Sequence, residues 1–155
     1  MNIFSLLNQE RTRARMEAGS KKKVLECMSE TFSYSLPKHS KEQIFEHFVA
    51  RERLGSTGLG GGVALPHCRM PGIESPIGAL VTVSVPIDYD APDEQPVDIV
   101  FGLIVPDSAN DEHLKLLAQL AELFTADDMV NQIRNATDAN ELLNLIHHWQ
   151  QHAAA

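Results

Sequence analysis

Residues 97–105, VDIVFGLIV, offer no polar face: apart from Asp98, every residue is apolar or glycine. A strand that alternates can leave one side in water, whereas a strand apolar on both sides must be covered on both. This run therefore demands a central strand held between two layers of helix. Upstream, residues 79–87 (ALVTVSVPI) set Leu80, Thr82 and Ser84 against Val81, Val83 and Val85, a β-branched alternation that suits its neighbour. The polar loop DYDAPDEQP joins the two. Residues 11–17 read as another strand with Thr12, Ala14 and Met16 inward, and residues 63–65 as a short one.

Helix signals surround these strands. Ser20 is placed to cap a helix with Val24, Leu25, Met28 and Phe32 on one face and Cys27 beside them as filler. Ser40 and Gln43 form a capping box ahead of Ile44, Phe45, Phe48 and Val49. After the central strand, Ser108 or Asn110 caps a helix whose stripe is Leu114, Leu117, Ala121 and Phe124, flanked by Leu116 and Leu120. Thr125 with Asp128 opens a helix carrying Met129, Val130 and Ile133, and Asp138 with Glu141 opens a last one with Leu142, Leu145 and Ile146. The expected fold class is α/β: a single-domain sandwich with a mixed sheet of four to five strands and helices on both faces. One domain is expected over residues 1–150, with residues 151–155 as a frayed tail.

Charge and cysteine usage narrow the function classes. A formal net charge of −8 argues against non-specific nucleic-acid binding, which needs cations to meet phosphates. The basic cluster Arg11, Arg13, Arg15 and Lys21–Lys23 reads as the solvated face of a strand and a helix's first turn, with a docking patch for an acidic partner as the alternative. The longest apolar run, residues 99–105, falls far short of the ~20 residues that span a bilayer. Cys27 and Cys68 form no CxxC pair and no secretory leader precedes them, so a cytoplasmic protein with reduced thiols is expected.

The chemistry concentrates in residues 51–69, RERLGSTGLGGGVALPHCR. A helix ends there, a turn Gly55-Ser56-Thr57-Gly58 follows, then Gly60, Gly61 and Gly62, then Val63-Ala64-Leu65-Pro66. Proline cannot donate to a ladder, so the strand is expected to stop there and present His67 at its end, beside unshielded glycine amides. His113, in the first turn of the next helix after the strongest strand, is its natural partner, because helix N-termini favour anions. The glycines match neither a P-loop, since GxxxxGK[ST] is absent, nor a dinucleotide fingerprint, since a helix precedes them and a strand follows. Cys68 points away from His67 on an extended chain and reads as packing. His39 and His47 read as surface residues, and His147, His148 and His152 lack a further ligand, so no metal and no cofactor is expected.

With GSTG upstream, GVALPH at the centre, and NDEHLKLLA after VFGLIVP, the chain resembles the IIA phosphoryl-carrier domains of the phosphoenolpyruvate-dependent phosphotransferase system, over nearly its whole length. Within them it is most similar to the nitrogen-regulatory branch, with mannitol/fructose IIA domains as cousins. The resemblance implies a protein histidine phosphotransferase in which His67 accepts a phosphoryl group from the phosphohistidine of an HPr-like carrier. It implies that Arg51 stabilises the phosphate and that His113 is the second histidine of the site. Ser56, Thr57, Gly58 and Gly60 are then expected to line the phosphate. Several relatives carry a polar or acidic residue where this chain has Gly61, so no role passes to that position. Leu59 and Met70 are candidate docking residues. The implied output partners are regulated proteins such as a potassium-transport protein or a sensor kinase. Two other readings stand beside this one: a binding module that is never phosphorylated, and a metal hydrolase using His67 and His113.

Overall fold

The computed structural model describes residues 2–109 and 111–153. Its strands are β1 (Thr12–Met16), β2 (Gly58–Gly60), β3 (Val63–Ala64), β4 (His67–Met70), β5 (Ile77–Ile87) and β6 (Val97–Pro106). They form one mixed six-stranded sheet in the order β1-β5-β6-β3-β2, with β4 also on β6. The apolar run is the central strand, as its composition requires: β6 is antiparallel to β5 on one side and parallel to β3 and β4 on the other.

The helices are α1 (Lys21–Ser33), α2 (Lys41–Glu52), α3 (Asp111–Thr125), α4 (Asp127–Asn135) and α5 (Ala139–Ala153). Period-2 alternation splits the core into two layers. Ala64, Cys68, Val81, Val100 and Ile104 meet Val24, Met28, Phe32, Ile44 and Phe48 of α1 and α2. Val63, Leu65, Leu80, Ile99, Phe101 and Leu103 meet Leu116, Leu120, Leu123, Ile133, Leu142 and Ile146 of α3, α4 and α5. At Gly102 the sheet admits α1 closely, since a Cβ there would collide with Met28 Sδ. Ser20 caps α1 and the Ser40–Gln43 box caps α2 as the sequence indicates.

Several local expectations are corrected. The buried stripe of α3 is His113, Leu116, Leu120, Leu123 and Phe124, while Leu114 is exposed. The stripe is rotated by one position because it includes a histidine, which an apolar count passes over. Thr125 ends α3 and bonds back to Glu122 O (3.0 Å), so Ala126 starts α4 with no side-chain cap. Ser108 lies in the turn closed by Ala109 N to Pro106 O (3.0 Å), ahead of α3. Asn110, the other candidate cap, lies outside the described residues. Helix α5 runs to Ala153, so Gln151 and His152, expected in the tail, are helical.

Arg11 is not part of a solvated face. It is buried, and its guanidinium donates to Gly78 O (2.9 Å), Ser35 Oγ (2.7 Å) and Leu6 O (3.1 Å), tying the start of β5 to the end of α1 and to the N-terminal turn. Among the described residues, no helix is long and apolar enough to cross a membrane.

Candidate functional site

Pro66 divides β3 from β4 without disturbing their register. Val63 pairs with Ile99, Ala64 with Val100 and His67 with Leu103, a constant offset against β6. Pro66 loses its own donor but still accepts from Leu103 N (2.9 Å). His67 therefore begins a strand rather than ending one, which corrects the sequence reading. The unbroken period sets His67 on the face of Val63 and Leu65, toward α3, and Cys68 on the opposite face in the core. Burial pushes the Cys68 thiol up to about 12, which makes it a packing residue.

The His67 ring is half-buried, and its Nδ1 lies 2.8 Å from Leu65 O. A carbonyl only accepts, so Nδ1 carries the hydrogen and Nε2 is left with its lone pair. Burial lowers the imidazole's pKa most; the Leu65 hydrogen bond and the Glu52 charge raise it, and the Arg51 and His113 charges lower it. That balance keeps the ring neutral near pH 7. The charges of Arg51, Glu52 and His113 all act on the His67 ring. Arg51 lies in the last turn of α2 and donates to Gly55 O (2.9 Å); His113 is buried in the first turn of α3. Sequence reasoning had put His113 in a helix's first turn; Arg51 had come from the family resemblance.

The expected phosphate loop is arranged differently. Thr57 N donates to Glu52 Oε1 (3.2 Å), and Thr57 Oγ1 makes a short hydrogen bond to Glu52 Oε2. Ser56 Oγ donates to Tyr89 O (3.1 Å) and accepts from Gly58 N (3.2 Å). Gly61 N donates to Asp93 Oδ2 (3.0 Å). The Thr57 and Gly58 amides, expected to face an anion, are thus engaged within the protein, as is that of Gly61, and Gly60 belongs to β2. The Thr57 and Gly58 amides find acceptors close in sequence, Glu52 and the Ser56 hydroxyl, whereas the Gly61 amide is met by Asp93 from 32 residues away.

Glu52, Lys21 and Tyr89 were missed. The Glu52 side chain is only 6% exposed and pairs with Lys21 Nζ at 2.9 Å. Lys21 Nζ also sits 4.5 Å above the centre of the buried Tyr89 ring. Tyr89 Oη lies 3.2 Å from Thr57 Oγ1. Since the threonine hydrogen goes to the carboxylate, the tyrosine is the donor, and its burial and the Glu52 charge raise its pKa. A tyrosine alone among aspartates in the loop DYDAPDEQP was the available signal, because an aromatic there usually finds a place to bury. Among the described residues, no cluster of His, Cys, Asp and Glu has the makings of a metal site.

The family described as "Phosphoenolpyruvate-dependent sugar phosphotransferase system, EIIA 2" matches residues 5–149. A nitrogen regulatory protein of Pseudomonas aeruginosa is 43% identical over 146 residues, covering 94% of this chain and 95% of that protein. The crystal structure of nitrogen regulatory protein IIA-Ntr from Neisseria meningitidis is 36% identical with a TM-score of 0.86, covering 93% of this chain and 98% of that one. The IIA mannitol enzyme of Escherichia coli, solved in complex with phosphorylated enzyme IIB, shares the fold at a TM-score of 0.75 and 16% identity over 92% of this chain and 97% of that one. The chain belongs to the EIIA type-2 family of the phosphotransferase system, on its nitrogen-regulatory side.

Proposed function

We propose that the protein is a phosphoryl carrier that takes its phosphoryl group on His67 Nε2. The observation that carries this is the hydrogen bond from Nδ1 to Leu65 O at 2.8 Å, which leaves Nε2 as a lone-pair nucleophile on an immobilised ring. The donor is the phosphohistidine of an HPr-like carrier protein. The Nε2 lone pair attacks phosphorus in line as the donor's P–N bond breaks, and the donor imidazole leaves with that electron pair. Such transfers need positioning and charge stabilisation more than covalent help. Arg51 contacts the phosphoryl oxygens, and His113 faces them from the α3 N-terminus, where helix amides favour an anion. Loop donors from Ser56 or Gly60 contribute only where their present bonds allow.

Leu54, Leu59 and Leu114 are exposed apolar residues near Arg51, in β2 and beside His113, and they form the docking ring for the carrier. Met70 is fully buried and drops out of that role. A single domain over residues 1–150 is supported by the family similarity over residues 5–149, with α5 running on to Ala153. The carrier works in the cytoplasm. Its phosphorylation state controls a partner protein, such as a potassium-transport protein or a sensor kinase.

Incubation with phosphoenolpyruvate, the upstream enzyme and the carrier is expected to give an acid-labile, alkali-stable phosphoryl mark that His67→Ala abolishes. Arg51→Ala is expected to slow labelling by about 10²–10³-fold. Because the pKa of His67 is held below its ordinary value, the labelling rate is expected to stay level as pH falls through about 6.5 and to drop only at the lower pH where the folded ring protonates. Absence of the mark with active donors would leave a binding module that works without phosphorylation.

A further inference from the structure

A continuous path of hydrogen bonds runs from the end of α2 to the nucleophile. Glu52 accepts from both the amide (3.2 Å) and the hydroxyl of Thr57. Thr57 O in turn accepts from Leu65 N (2.9 Å). Leu65 O then accepts from His67 Nδ1 (2.8 Å). The turn that Glu52 closes also supplies Gly55 O, which holds Arg51 (2.9 Å). A single carboxylate thus fixes the segment from which both the nucleophile and its arginine take their orientation.

We propose that Glu52 is a positioning residue for phosphoryl transfer: through Thr57 and Leu65 it holds the His67 ring, and through the turn at Gly55 it holds Arg51. This rests on the reading of His67 as phosphoryl acceptor. Glu52 touches no reacting atom. It is held in turn by Lys21 Nζ at 2.9 Å and by Tyr89, whose hydroxyl lies 3.2 Å from the Thr57 hydroxyl that Glu52 receives. A carboxylate suits the position because it accepts on both oxygens at once and donates nothing. A glutamine accepts on one and would turn an N–H toward a Thr57 donor. The Glu52 charge also raises the proton affinity of His67, opposing burial and the Arg51 and His113 charges. Geometry and charge therefore act on the nucleophile from one residue.

The alternative is that Glu52 serves only to close the turn after α2. Two readouts separate these roles: the phosphoryl-transfer rate with its dependence on carrier concentration, and the ¹⁵N spectrum of the His67 ring as a function of pH. Glu52→Gln is expected to slow transfer by about 10–100-fold, since small misplacements of reacting groups have effects of this size. The half-saturating carrier concentration should stay unchanged. The His67 titration should move to lower pH, with a larger share of the Nε2–H tautomer. Thr57→Val, which deletes the hydroxyl and keeps the shape, is expected to slow transfer in the same direction, and Thr57→Ser to recover most of that loss.

A folded Glu52→Gln protein with the wild-type rate and an unchanged His67 spectrum overturns the proposal. A protein that is slow only near its melting temperature, with a normal His67 spectrum below it, does the same. If Glu52→Gln does not fold, the Thr57→Val and Thr57→Ser pair decides by the same readouts. If the wild type takes no phosphoryl group, the acceptor reading fails, and the tautomer and titration of His67 still decide whether Glu52 positions the ring.

Discussion

Two turns near the site look alike in sequence and are fastened in opposite ways. The turn at 53–57 and the hairpin at 60–62 are both glycine-marked and lie on either side of β2. The first is closed by Glu52, a carboxylate shut away from solvent, and its bonds lead on to Leu65 and His67. The second has three successive glycines at positive φ and is held by Asp93 on the Gly61 amide and by Arg134 on the Gly61 carbonyl (3.1 Å). Arg134 Nε is paired with Asp98 Oδ2 at 2.6 Å, and the two side chains are 34% and 13% exposed. Only the first turn is tied to the nucleophile. A glycine cluster beside a reactive histidine is therefore weak evidence that its amides bind the ligand. What matters is where its donors already go.

Deleting each anchor tests this difference. Glu52→Ala removes the acceptor of the Thr57 amide and hydroxyl and strands Lys21 beside Tyr89. Breaking a pair this buried is expected to lower stability by about 3 kcal/mol, read as a shift in the denaturant midpoint. Labelling of His67 should fall with it, even at temperatures where the variant is fully folded. Stability lost with labelling intact would put the two turns on the same footing.

Arg134→Met makes the opposite cut. It leaves Asp98 with no cation, and Asp98 Oδ1 is already buried without a partner. A loss of about 1–3 kcal/mol is expected. The labelling rate of the folded variant is expected to stay within about twofold of the wild type, as for mutations outside the reacting geometry. A large fall in labelling would show that the hairpin, too, orients the nucleophile.

His67 adds a pH-dependent test of the tied turn. Its folded-state pKa is lowered, mainly by burial. The unfolded chain therefore binds a proton more readily as pH falls past about 6.5, and stability is lost from there downward until the folded ring also protonates. His67→Gln is expected to flatten this part of the stability curve. An unchanged curve would mean that the ring is not held in the buried, neutral state described here.

How far the sequence carried follows the same line. The central strand was legible because two apolar faces admit one solution; local context singled out His67 and His113 as candidates, whereas Arg51 entered only through the family resemblance. The Ser40–Gln43 box was legible because both of its bonds are local. The partners of the turns were not. Tyr89, Asp93 and Arg134 reach residues 56–61 from 32 to 73 positions away in sequence. Periodicity says nothing about such bonds. Arg11 failed for the same reason: in sequence it is one of several cations, and only the distant Gly78 and Ser35 make it a core residue. His113 was found through its helix start, although the stripe that buries it was read one position out.

The smallest effect belongs to Asp93, on the hairpin's outer side. Its carboxylate accepts from the Gly61 amide and from Gln95 N (3.1 Å), and these bonds hold its pKa below the ordinary value. A lowered carboxylate stabilises the fold above its unfolded pKa, near ~3.9, and that contribution is lost as pH falls through the folded value. Asp93→Asn is expected to leave the protein nearly unaltered at pH 7 and to reduce the slope of its acid unfolding only below about pH 4. Because Asp93 is fully exposed, water replaces its bonds easily, and labelling of His67 should not respond at all. A measurable fall in labelling from so weak an anchor would mean that motion of the hairpin reaches His67 through β3, and would erase the contrast between the two turns.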